Sequence, residues 1–236
     1  MSLDLINPPI VEFSCGVFFS AHENITPVAI GDFWSKVKVE LPQHSLYAPM
    51  PQPGVKNQYR VTIGSAKASD VLVRFNSSDN EHVIQIQKNS FHYNWCKQTS
   101  SYPGASECVE RFKKYFDLFK SYLCSLAPEV KLEISQVRCL KLNAIEAQNL
   151  DFLKFSSVVD FLATNNVEFK WSSSKEGITC EGLFVQSQEP GTFILQCDSF
   201  KAADKSDTSE VIKEIQAVSD FANDNFKLIL KDGAFQ

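Results

Sequence analysis

The amino-acid sequence predicts an α+β protein of two similar halves, in which a curved antiparallel sheet carries long helices on one face. Three observations predict it. Short apolar runs alternate with polar residues between turn signals, which is the period of half-buried strands. Two long stretches, about 106–126 and 209–230, repeat their apolar residues at helical spacing instead. The order strand, helix, several antiparallel strands, long helix also occurs twice, so that halves at 1–128 and 129–236 repeat in pattern without visible identity. Two such halves related by a pseudo-dyad would look like a TATA-binding-protein saddle or a helix-grip module. That is a likeness of fold and carries no function.

The densest strand signal runs from Val83 to Trp95. Ile84 and Ile86 alternate with Gln85 and Gln87, and Asn89-Ser90 interrupts the run. Phe91, Tyr93 and Trp95 then share one face, and His92, Asn94 and Cys96 the other. Upstream, Val71 to Phe75 is a second apolar run, separated by the polar turn Asn76-Ser77-Ser78-Asp79-Asn80. Residues 71–96 therefore read as a meander. Its aromatic row has two readings: a sheet face packed under a helix, or an open stacking surface, for which Tyr and Trp suit through an apolar body and a polar tip.

The remaining elements follow in order. Pro8-Pro9 forces an extended entry, and Val11 to Phe19 alternates as a strand. Pro27 opens a helix carrying Ile30, Phe33, Trp34, Val37 and Leu41, and Pro42 stops it. Residues 42–58, with four prolines and Gly54, form the longest irregular segment, either mobile or functional. Tyr59 to Ile63 reads as a short strand. After the turn Tyr102-Pro103-Gly104, Ser106 is the expected N-cap of a helix with Val109, Phe112, Phe116, Phe119 and Leu123 inward, ended by Pro128. Lys131 to Glu146 is a long strand and Ser156 to Leu162 a helix. Strands at Val167–Trp171, Thr179–Val185 and Thr192–Phe200 follow, then a polar loop from Asp204 to Thr208. Asp207 with Glu210 resembles a capping box for the last helix. Its expected inner stripe is Ile212, Ile215, Val218, Phe221 with Ala222, Asn225 and Ile229.

Composition excludes several classes. The 236 residues carry a net charge of −5, which weighs against a nucleic-acid binder that relies on neutralising phosphates. No apolar run is long enough to span a membrane, and the N-terminus has no secretory pattern. Seven cysteines without a C-x-x-C read as free thiols in a reducing cytoplasm. Four dispersed histidines give no metal-ligand spacing, and no phosphate-cradling or nucleophile-elbow motif occurs, so neither a metal nor a cofactor is expected. Cys96 and His92 share a strand face but lie ~13 Å apart along it, too far for a dyad.

Several segments together resemble a family. They are Pro8-Pro9-Ile10-Val11-Glu12, Cys15 to Phe19, Phe33-Trp34, Leu72 to Phe75, Ile84 to Gln87, Phe91 through Asn94-Trp95, Tyr102-Pro103 and Arg111-Phe112. Their order is similar to the uncharacterised, sporadically distributed prokaryotic family with a PPIVE…F start and an LIQ…F-x-x-NW centre. Val137 to Ile145 resembles that family's R-x-x-L-x-Y-x-N-x-I strand, with Leu142 where an aromatic is usual, and Thr192 to Asp198 its l-x-l-D strand. Ala222-Asn223 departs from it, standing where a histidine or basic residue is common. The resemblance implies no reaction. Its patchy distribution implies an accessory place in defence or toxin–antitoxin loci.

The functional expectation is a non-catalytic binding module for a protein partner or a small ligand, through Tyr93, Asn94 and Trp95 or through the 42–58 loop. The alternative is an enzyme acting on nucleotides or nucleic acid, with a composite site of Glu12, Asn94, Lys97, Arg138 and Asn143. There Glu12 would pair with Arg138 or Lys97 across neighbouring strands. A saddle-like nucleic-acid binder is the third reading, which the acidic charge disfavours.

Overall fold

The computed structural model describes residues 9–54, 71–129, 131–146, 149–150, 153–154, 168–189, 191–205 and 207–231. The predicted strand at 59–63 and helix at 156–162 lie outside them. Nine strands and three helices are described: β1 (Ile10–Phe19), α1 (Pro27–Val37), β2 (Gln43–Tyr47), β3 (Leu72–Asn76), β4 (His82–Gln87), β5 (Ser90–Cys96), α2 (Ala105–Leu126), β6 (Ile134–Glu146), β7 (Phe169–Lys175), β8 (Ile178–Gln186), β9 (Thr192–Lys205) and α3 (Thr208–Ile229). The strands form one curved, unclosed antiparallel sheet in the order β2-β3-β4-β5-β1-β6-β9-β8-β7. The α+β class and the antiparallel sheet are as predicted. No described helix is long and apolar enough to cross a membrane.

The period-two pattern decides which face the helices cover. Phe13, Cys15 and Val17 of β1 and Phe91, Tyr93 and Trp95 of β5 point the same way, as their cross-strand pairing requires. They pack against Phe33 of α1 and Phe112, Phe116 and Phe119 of α2 in one core. Phe91 stacks on Phe119 at a centroid distance of 5.2 Å, and Trp95 lies 5.3 Å from Tyr102. Tyr93 and Trp95 are fully buried. The open stacking surface is therefore corrected: these rings are core, each worth roughly 1.5–3 kcal/mol of burial. A second cluster joins Cys180, Phe184, Leu195 and Cys197 to Ala222 and Phe226 of α3. All seven cysteines are free thiols.

Helix ends follow local chemistry. Thr26 caps α1 by accepting from the Ala29 amide at 3.2 Å. The helix stops at Val37 rather than at Pro42, and beyond it the Trp34 indole N–H donates to the Leu41 carbonyl at 2.8 Å. Asp207 caps α3 through the amides of Ser209 and Glu210 at 2.9 and 3.1 Å. The inner stripe of α3 is Val211, Ile215, Val218, Ser219, Ala222, Asn225 and Phe226, so Ile212, Phe221 and Ile229 sit at its margin. Ser106 is not the cap of α2. The cap position is Gly104, at φ 95°, which an L side chain rarely adopts.

The 42–58 segment is less irregular than predicted. Gln43–Tyr47 is an edge strand on β3, and its side chains are mostly exposed. Residues beyond it cross the face that none of the three described helices covers, here called the helix-free face. The Gln87 side chain clamps Met50 from both sides, accepting from its amide at 2.8 Å and donating to its carbonyl at 3.0 Å. Gln136 donates to the Pro53 carbonyl at 3.1 Å, and Arg138 Nη1 lies 3.2 Å from Met50 Sδ. Tied to β4 and to β6, this strap passes over β5 and β1, where Ser90, His92 and Phe18 are fully buried.

Candidate functional site

The residues singled out from the sequence divide between the two faces of the sheet. Glu12, Asn94 and Arg138 stand on the helix-free face. Asn143 points to the helices, and Lys97 follows β5 on the exposed chain. The composite site of Glu12, Asn94, Lys97, Arg138 and Asn143 is therefore corrected: strand alternation separates its members.

On the helix-free face several polar groups bond one another. Asn94 donates to Glu12 Oε1 at 3.2 Å and accepts from Ser14 Oγ at 2.8 Å. With its amide oxygen turned toward them, Gln85 accepts from Asn94 Nδ2 and from Arg74 Nε and Nη2, each at 2.9 Å. Arg138 does not pair with Glu12. It grips Asp198 through two parallel hydrogen bonds of 2.8 and 2.7 Å. Burial raises the pKa of the Glu12 carboxyl, opposed by the charges of Arg74 and Arg138 and by the Asn94 hydrogen bond. Burial, then the Glu12 charge, pushes the Cys96 thiol up to about 12, so it is no nucleophile near neutrality. The network leaves both nitrogens of His92, Ser90 Oγ and Gln136 Oε1 buried without partners on the same face.

The other face carries a cleft of about 710 Å³ between the N-terminus of α2, the 97–103 chain, β6 and α3. Its volume lies in the range of small-molecule sites. Lys141 of β6 is almost fully buried in its wall, donating to the Ser219 carbonyl at 3.0 Å and to Asn223 Oδ1 at 2.6 Å. Its ammonium also lies over the Phe13 ring, 5.6 Å from the ring centre. Burial lowers its pKa, and the thiol of Cys139 and the carboxylate of Asp220 oppose that. Two oxygens in the same wall, Tyr102 Oη and Asn143 Oδ1, are shielded from solvent and have no hydrogen-bond partner. Such orphaned buried acceptors ordinarily cost about 1–3 kcal/mol each.

The rim is fixed from outside. Glu81 accepts from the amides of Thr99 and Ser100 at 2.8 and 2.7 Å and from Ser100 Oγ at 2.5 Å. The Ser100 side chain, then the two amides, hold its carboxyl down to about 2. Thr99, Ser100 and Ser101 line the cleft, so this carboxylate shapes one of its edges. Lys97 and Lys227 also line the cleft, and Asp220 is the acidic residue of the lining.

Lys141, Tyr102, Asp220 and Asn223 are not among the predicted site residues, although the sequence reads Tyr102 as part of a turn and Asn223 as a departure from the family pattern. One signal was there: Lys141 interrupts the buried phase Val137, Cys139, Asn143 and Ile145 of its strand. A charge in a buried phase asks for a partner or a function. No family model matches the chain, and a search of curated proteins finds no relative.

Proposed function

We propose that the protein is a non-catalytic binding module whose ligand is a small polar molecule held in the cleft between the N-terminus of α2 and α3. The observation that carries this reading is the coincidence, among the residues lining one cleft, of a buried lysine and two residues with partnerless oxygens, Tyr102 and Asn143. A polar ligand with donors would offer those oxygens partners. On the helix-free face Arg74 and Arg138 are committed to Gln85 and Asp198, which takes their charge from a basic saddle. An accessory role in a defence or toxin–antitoxin locus rests on the family resemblance alone.

Native mass spectrometry of the protein purified from its own cells tests the reading. A small molecule should be retained, released on denaturation chemically unchanged, and lost in Ser106→Trp, which fills the cleft mouth from an exposed position. Retention undiminished in Ser106→Trp would place the ligand elsewhere. Conversion of the molecule during incubation would favour the enzyme instead.

A further inference from the structure

The ligand's chemistry can be taken one step further, on the premise that this cleft is the binding site. We infer that the ligand is a phosphomonoester of a small hydroxylated molecule, with its phosphate at the N-terminus of α2.

The first support is the uncapped helix. α2 runs for 22 residues, and no side chain caps its N-terminus. Its first intrahelical bond is from the Cys108 amide to the Gly104 carbonyl, so the amides of Ala105, Ser106 and Glu107 precede the ladder. Gly104, Ala105 and Ser106 line the cleft. Free amides and the positive end of the helix dipole together favour an anion. The nearest carboxylate on the helix, Glu107, is turned to Arg111 at 3.0 Å.

The second support is charge. Lys97, Lys141 and Lys227 face one carboxylate, Asp220, among the cleft residues. The excess of two positive charges matches a phosphomonoester, which is close to dianionic at neutral pH, better than a single carboxylate. Lys141 brings its charge to the cleft wall from the strand side, and Lys97 and Lys227 bring theirs from the 97–103 chain and from α3.

The third support is the pair of orphaned acceptors. Asn143 and Tyr102 both line the cleft, Asn143 is almost fully buried, and Asn143 Oδ1 and Tyr102 Oη have no partner. A hydroxyl or amino donor on the body of the ligand would supply the missing partner to Asn143. Bare phosphate fills neither the volume nor these acceptors.

Calorimetric titration with ribose phosphate and adenosine monophosphate, against ribose, adenosine and inorganic phosphate, tests the inference. At least one phosphomonoester should bind about tenfold or more tightly than its neutral counterpart and than inorganic phosphate, as expected for charge-assisted hydrogen bonds. Which one binds separates a sugar phosphate from a nucleotide. Ala105→Pro removes one cleft amide at the helix position where proline is best tolerated. It should weaken binding several-fold to tenfold with Tm unchanged, which a merely structural role would not do. The rim variant Lys97→Ala with Lys227→Ala should weaken binding and flatten its salt dependence. Failure of both phosphomonoesters to bind, equal binding of the neutral compounds, or full affinity in Ala105→Pro would overturn the assignment. Neutral ligands that bind and are lost in Ser106→Trp would leave the cleft as the site while removing the phosphate.

Discussion

Gly16 lies directly against the ring of His92. A Cβ built on Gly16 would fall 2.2 Å from His92 Nδ1 and 2.5 Å from the Phe91 carbonyl oxygen. The glycine is thus needed for close approach between β1 and β5, not for an unusual φ. Gly16→Ala forces the imidazole or the strand to move, and overpacking of this kind costs about 1–3 kcal/mol or more. Urea unfolding should show that loss, with partial recovery when His92→Ala is added. Recovery cannot be complete, because the carbonyl contact remains. An unchanged midpoint in Gly16→Ala would mean that the two strands do not sit this close.

The same imidazole makes stability depend on pH. Both His92 nitrogens are buried without partners, and burial, then the charge of Arg138, holds its pKa well below the ordinary value of 6.5. The unfolded chain therefore takes up a proton at this residue that the folded chain refuses. Stability falls as pH drops below about 6.5, by up to about 1.4 kcal/mol per pH unit from this group. His92→Leu should flatten that slope between pH 6.5 and pH 5. Denaturation midpoints over this interval are the check, and an identical slope in the variant would remove His92 as its source.

Much of this frame was legible from alternation alone. The Val83–Trp95 run, the long helices and most of the strands along the chain follow from where Ile, Phe and Val recur. Alternation states which residues share a face, but not which face is covered. Tyr93 and Trp95 therefore fitted a stacking surface as well as a core until α2 was seen to lie on them. The same ambiguity joined Glu12 to Asn143, which face opposite ways. The edge strand β2 was hidden among prolines because its side chains are mostly exposed and show no buried phase. The cleft was illegible because it is tertiary: Lys97, Lys141 and Lys227 are remote in sequence.

Glu81 gives the cleft an acid-sensitive rim. Its carboxyl titrates at about 2 in the fold against 4.5 ordinarily, with the Ser100 side chain the first cause. A depressed carboxylate contributes stability that is fully present above 4.5 and lost as pH falls towards 2. Glu81→Gln cannot accept from three donors as a carboxylate does. In that variant the amides of Thr99 and Ser100 should exchange faster at neutral pH, while the core helix α2 keeps its protection. Hydrogen exchange read peptide by peptide decides this, and equal protection at residues 97–101 would show that the rim is held by something else.

Arg138 and Asp198 test whether the helix-free face is held by pairing or by packing. Their bidentate bridge of 2.7–2.8 Å is nearly buried, with side-chain exposures of 11% and 9%, so the pair lies in a setting that screens little. Removing one partner strands the other charge, and such truncations cost about 3–5 kcal/mol. Arg138→Met and Asp198→Asn should each destabilise strongly, and the double variant by much less than their sum. Arg138 also touches Met50 of the strap, whereas no bond joins Asp198 to that segment. Arg138→Met should therefore expose residues 50–54 to proteolysis more than Asp198→Asn does, even at matched global stability. Additive losses in the cycle would mean that the two charges contribute independently and that the bridge itself is not what holds β6 to β9.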